Sequence, residues 1–130
     1  YITAENNVIV RLRAPNNAIF ISDKNAGLVA SSLMVIIESL YPNILYSKFL
    51  AYYLNSQYAQ NQLIKNSQGT SIIMTKRTDL LELDISLPTL EEQHKIISYI
   101  ELANQEINLL QKLTNEKIKL KANVFETLIK

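Results

Sequence analysis

A chain of 130 residues, 48% of them hydrophobic, can bury one modest core, which points to one globular domain with an appendage rather than two domains. Thirteen basic residues against twelve acidic ones leave a formal charge of +1, too balanced for nucleic-acid or membrane binding by bulk electrostatics, so any basic surface must be local. The absence of cysteine excludes disulfides and thiolate metal sites. The longest apolar run without aromatic residues, residues 33–37, is far shorter than the roughly 20 residues that span a bilayer, and no charged-then-apolar leader opens the chain, so a soluble cytoplasmic protein is expected. Its opening at Tyr1, with no Met and strand-like sequence almost at once, gives it the look of a segment of something longer.

Val8, Val10 and Leu12 alternate with Ile9, Arg11 and Arg13, a period of two that suits a strand with one buried face and two guanidinium groups on the other. Pro15, Asn16 and Asn17 mark a turn. Residues 18–21 and 32–38 read as further short strands, rich in Ile and Val, separated by the loop composition of residues 22–27. Tyr41, Pro42 and Asn43 break the pattern. From Tyr46 the apolar residues Phe49, Leu50, Tyr53, Leu54, Leu63 and Ile64 recur at helical spacing, predicting one amphipathic helix over residues 47–64. Residues 66–71 then form a glycine-containing loop with basic edges, followed by Ile72, Ile73 and Met74 and a charged turn at residues 76–79.

Leu81, Leu83, Ile85 and Leu87 alternate with Glu82, Asp84 and Ser86, predicting a half-buried strand ended by Pro88. Thr89 is placed to cap a helix, its hydroxyl accepting the Glu92 amide while the Glu92 carboxylate reaches back. Beyond it no proline or glycine occurs, and Ile100, Ala103, Ile107, Leu110, Thr114, Ile118, Lys121, Phe125 and Leu128 follow one another by threes and fours. A helix of about 40 residues extends on the order of 60 Å, longer than so small a domain is wide, so much of this stripe is expected to meet a partner helix. Thr114 and Lys121 in the seam would cost stability and could fix register, although seam drift in an ordinary bundle helix has the same pattern. The fold class is therefore α+β: a small mixed domain of short strands and an amphipathic helix over residues 1–88, then a long coiled-coil-forming helix over residues 89–130.

Little in the sequence suits catalysis. His94, the single histidine, has no cysteine or second histidine to complete a metal site and reads as a solvated helix residue; no metal ligand is assigned. Glu91 and Glu92 are explained by the helix cap. No Gly-Lys-Ser/Thr follows Gly69, so the loop is not a phosphate loop, and no nucleophile with a base can be argued; no catalytic residue is assigned. Two clusters suit binding instead. Arg11, Arg13, Asn16 and Asn17 surround one turn, and Lys65, Asn66, Gln68, Thr70, Ser71, Lys76 and Arg77 another, mixing cations for phosphates with amides that can pair with base edges. Turns are polar in any protein, and Arg11 and Arg13 also fit the wet face of a strand. Tyr52, Tyr53 and Tyr58 suit helix packing better than base stacking.

Val8-Ile9-Val10-Arg11-Leu12-Arg13-Ala14-Pro15-Asn16-Asn17-Ala18, Gly27-Leu28-Val29-Ala30-Ser31-Ser32, Gln68-Gly69-Thr70 and, most specifically, Leu83-Asp84-Ile85-Ser86-Leu87-Pro88-Thr89-Leu90-Glu91-Glu92-Gln93-His94-Lys95-Ile96-Ile97 occur in an order that resembles the specificity subunit of type I restriction-modification systems. The resemblance covers the latter part of one target-recognition domain and the spacer helix after it. Complete specificity subunits carry two such units, and a recognition domain has more chain ahead of the position matching Tyr1. The resemblance implies a non-catalytic module that reads part of a bipartite site in double-stranded DNA and positions methylation (M) and restriction (R) subunits there. S-adenosylmethionine, ATP and Mg are then expected only on those partners, and no cofactor on this chain. It implies DNA-side roles for Arg11, Arg13, Asn16, Lys65, Gln68, Thr70, Lys76 and Arg77. Ile100, Ile107, Leu110, Ile118 and Phe125 would form the helix-pairing interface, in a homodimer or with a second recognition unit. The alternatives are a half-subunit that dimerises through its helix without reading DNA, and an unrelated enzyme domain.

Overall fold

The computed structural model describes residues 1–66 and 75–129. Residues Tyr1–His94 form one compact unit and Lys95–Lys130 a second. The first is built on a three-stranded antiparallel sheet of β1 (Val8–Arg11), β2 (Ala18–Phe20) and β3 (Met34–Ile37), ordered β2-β1-β3. Alternation in β1 works as the sequence predicts: Val8 and Val10 are fully buried, whereas Arg11 is exposed. Val8 stands opposite Phe20 on one side and Ile37 on the other, and Val10 opposite Ala18 and Val35. Ahead of the sheet, Ile2 bridges Val29, and Gly27 turns the chain with φ +89°, a conformation that a side chain would strain.

The buried sheet face is covered by α1 (Ser47–Leu54), which contributes Leu50, Ala51 and Leu54 to the core with Val8, Val10 and Ala18. The predicted single helix over residues 47–64 is in fact two, α1 and α2 (Gln57–Asn66). The break lies at Asn55 and Ser56, whose side chains compete for backbone groups. Asn55 accepts the Ala18 N–H through Oδ1 at 2.7 Å and donates from Nδ2 to the Ala18 carbonyl at 2.8 Å, tying the end of α1 to β2. The Ser56 hydroxyl accepts the Ala59 N–H at 3.3 Å and so caps α2.

Two further predictions are corrected. The charged turn at residues 76–79 opens a short helix, α3 (Arg77–Leu81), because the Asp79 carboxylate accepts the Lys76 N–H at 2.9 Å at its start. The predicted strand over residues 81–87 joins no ladder: Leu81 belongs to α3 and is exposed, while Leu83 and Ile85 pack on the core from irregular extended chain. The alternation there is real, but it serves packing alone. Of the glycine loop predicted over residues 66–71, Asn66 ends α2 instead, and the rest of it, with Ile72, Ile73 and Met74, lies outside the described residues.

The long helix forms as predicted, as the 40-residue α4 (Leu90–Ile129). Its cap is the reciprocal box: Glu92 N–H donates to Thr89 Oγ1 at 3.2 Å and Thr89 N–H to a Glu92 carboxylate oxygen at 3.1 Å. Among the described residues, no helix is long and apolar enough to cross a membrane.

Candidate nucleic-acid interface

The turn between β1 and β2 is organised by an amide that faces inward. Asn16 is fully buried, and its Nδ2 donates to the carbonyls of Arg11 at 2.9 Å and Leu12 at 3.0 Å. Gln60 on α2 clasps the same residue through its backbone, accepting the Asn16 N–H at 3.2 Å and donating to the Asn16 carbonyl at 2.8 Å. A second Nε2 bond, to the Leu54 carbonyl at 2.8 Å, links the turn to the end of α1. This placement departs from the DNA-facing role expected of Asn16: buried polar groups are held by hydrogen bonds, and here those bonds shape the turn that displays Arg11 and Arg13.

The second cluster comes to the first through the backbone. The Thr75 N–H donates to the Leu12 carbonyl at 2.7 Å, so Arg13 and Lys76, remote in sequence, each lie one residue from the same hydrogen bond. Arg11, Arg13, Lys65, Lys76 and Arg77 are exposed, and among the described residues none has an ion-pair partner. Lys65 occupies the last turn of α2, where the helix dipole favours a cation, and α2 packs beside α3. Arg77 borders a hollow shared with Tyr1, Asn7, Met34 and Glu38. Gln68 and Thr70 lie outside the described residues.

Of the three tyrosines, Tyr53 packs as the sequence suggests, while Tyr58 stays exposed at its edge. The Tyr53 ring lies 6.3 Å from Phe49 and 6.5 Å from Tyr58, and its hydroxyl donates to the Asp84 carbonyl at 3.2 Å. His94 is exposed but not merely solvated, since it stacks on Tyr46 with ring centroids 4.1 Å apart. Among the described residues, no group of His, Cys, Asp and Glu could hold a metal ion.

Sequence reasoning missed Gln93. It is fully buried in the first turns of α4, accepts the Tyr46 N–H at 2.8 Å and donates to the carbonyls of Ile44 at 2.8 Å and Pro88 at 3.0 Å. Its neighbours Glu91 and Glu92 made the stretch read as cap and solvent face. The available signs are a neutral amide following two carboxylates and its place in the stretch that carries the family resemblance.

Along α4 the proposed pairing positions Ile107, Leu110, Ile118 and Phe125 are exposed, whereas Ile100 is half-buried. A second apolar stripe of Leu102, Leu109, Leu113, Leu120 and Val124 runs beside them, also exposed. Together they give the helix more apolar surface than a single coiled-coil seam uses.

The described residues thus present two exposed cation-bearing turns and a 40-residue helix with exposed apolar stripes. Residues 1–120 match the model of the type I restriction modification DNA specificity domain, and the chain belongs to that family. Its fold is similar to the HsdS subunit from Thermoanaerobacter tengcongensis, with a TM-score of 0.76 and 24% identity over 88% of this chain and 30% of that one. It is also similar to a chain in a structure described as the basis of complex assembly and conformational transition of the type I R-M system, with a TM-score of 0.74 and 24% identity over the same shares. The chain thus spans 30% of the length of each of these proteins. Comparison with curated proteins gives no match.

Proposed function

We propose that this chain is a DNA-recognition module of a type I restriction-modification specificity subunit. It reads part of a split site in duplex DNA and gives specificity to methylation and restriction subunits, which carry the catalysis together with S-adenosylmethionine, ATP and Mg. Family membership supports the reading, as does the complex assembly named for the second structural neighbour. The observation that carries it is the Leu12–Thr75 hydrogen bond, which puts two cation-bearing turns side by side, with no ion pair to their cations among the described residues. Arg11, Arg13, Lys65, Lys76 and Arg77 contact phosphates, and Gln68 and Thr70 are assigned to the same side. Asn16 positions the turn. The apolar stripes of α4 serve helix pairing and subunit docking.

The test is duplex binding by the chain assembled with its methylation subunit, followed across salt concentrations. Each phosphate contact removed lowers the slope of log K against log salt by about 0.9, so Lys76→Ala with Arg77→Ala should flatten it by roughly two contacts. An unchanged slope would remove both residues from the interface. The exposed seam of α4 by itself equally favours an assembly half-subunit that does not read DNA, and such a protein would show no salt-dependent duplex binding.

A further inference from the structure

Among the described residues, two buried side-chain oxygens have no hydrogen-bond partner, Asn16 Oδ1 and Thr75 Oγ1. Remote in sequence, they belong to one junction. The Leu12 carbonyl accepts from Asn16 Nδ2 at 3.0 Å and from the Thr75 N–H at 2.7 Å, so both residues meet at the same oxygen. Asn16 is fully buried and Thr75 is 3% exposed, and a buried polar atom without a bond is costly enough that two at one junction call for a shared partner. Their chemistry is complementary: the amide oxygen only accepts, whereas the hydroxyl both donates and accepts. They do not bond each other, so the link between them needs a group that donates to the amide oxygen and also bonds the hydroxyl, which a single water does.

We propose that Thr75 is a positioning residue for the two cation-bearing turns, its hydroxyl and Asn16 Oδ1 holding one buried water between them. The proposal deepens the DNA-recognition reading and rests on it for the effect on binding, though not for the bridge itself. Asn16 fixes the carbonyls of Arg11 and Leu12, and Thr75 leads directly into Lys76 and Arg77. One backbone bond by itself leaves two turns free to pivot about it, and a second link through the side chains removes that freedom. The cations of both turns then stand at a fixed spacing, and less ordering remains when they meet phosphates. The start of α3 does not need the hydroxyl, because the Asp79 carboxylate accepts the Lys76 N–H there.

Thr75→Val keeps the shape of the side chain and deletes its hydroxyl, so the sign of its effect decides. With the bridge, it lowers the midpoint of urea unfolding followed by the near-ultraviolet tyrosine signal, and Thr75→Ser, which keeps the hydroxyl, stays closer to the unmodified chain. Removing an idle buried hydroxyl would raise the midpoint instead, and that result overturns the proposal. In an Asn16→Ala background the cost of Thr75→Val should vanish; an undiminished cost would show that the hydroxyl acts through another group and overturn the bridge. If Asn16→Ala does not fold, the sign in Thr75→Val and the recovery in Thr75→Ser decide alone. A crystal structure of the chain should show an ordered water bonded to both oxygens, and a direct bond between them would overturn the water.

The positioning role is read in duplex binding by the chain assembled with its methylation subunit. Thr75→Val removes no charge, yet should lower the slope of log K against log salt by about 0.9, the loss of one phosphate contact, while Thr75→Ser leaves it unchanged. An unchanged slope in Thr75→Val would overturn the positioning role. Duplex binding without salt dependence in the unmodified complex would overturn the recognition reading alone, and the unfolding midpoints would still decide the bridge.

Discussion

Replacing Gln93 with Ala removes the three hydrogen bonds of a fully buried amide, leaving the Tyr46 N–H and the carbonyls of Ile44 and Pro88 without the group they share. An unsatisfied buried donor or acceptor costs on the order of 1–3 kcal/mol, and the carbonyls lose less than the N–H because each has a second lone pair. A total of about 3 kcal/mol follows for the Tyr1–His94 unit, a large share of the 5–15 kcal/mol by which domains are typically stable. At roughly 4–8 °C per kcal/mol for a domain of this size, the melting temperature should fall by at least about 12 °C. Far-ultraviolet dichroism would be dominated by α4, so the transition is best followed by near-ultraviolet signal from the chain's seven tyrosines, which have no tryptophan to mask them. Gln93→Glu separates hydrogen bonding from shape. It keeps an acceptor for Tyr46 but turns a carboxylate oxygen toward two carbonyls, and should destabilise at least as much as Ala. A loss below about 1 kcal/mol in both variants would refute the reasoning and mean that packing alone holds this junction.

Asn55→Ala should cost about 2 kcal/mol in urea unfolding, because it strands both backbone groups of Ala18, while Asn55→Asp keeps only the accepting half and should fall between. Thr89→Ala opens the capping box of α4 and should lower stability by about 1 kcal/mol without changing association of the long helix. Leu110→Asp, at an exposed position, should abolish association measured by light scattering and leave the tyrosine transition of the first unit in place; loss of that transition would make the helix ordinary core.

The parts of the fold that were legible in the sequence are those in which one physical effect repeats. The period of two in β1, the reciprocal side chains of Thr89 and Glu92, and the threes and fours of α4 each put the same information into several residues. The misread elements show where repetition misleads. Residues 81–87 alternate because Leu83 and Ile85 bury against the core, and burial of alternate residues needs extended chain but no neighbouring strand. The apolar residues of 47–64 are divided between two helices, Leu54 ending α1 and Leu63 buried on α2, and the side-chain bonds of Asn55 and Ser56 that break the helix are not registered by apolar spacing.

The same distinction explains why the candidate interface was only half legible. Exposed cations are recognisable by residue type, and Arg13 and Lys76 were assigned to binding on that basis; their proximity depends on one backbone bond between Thr75 and Leu12, which leaves no trace in side-chain chemistry. Asn16, Asn55, Gln60 and Gln93 have a common role, each bonding through its side-chain amide to backbone groups elsewhere in the fold. An amide that reads a base and an amide that holds a turn are the same group, and only burial separates them. Residue type alone therefore groups Asn16 with its arginine neighbours, although its side chain turns inward and bonds the backbone of the turn that carries them. Its replacement should then weaken DNA binding and stability together, whereas replacing Lys76 should weaken DNA binding alone; a loss of binding with unchanged stability in Asn16→Ala would return that residue to the interface.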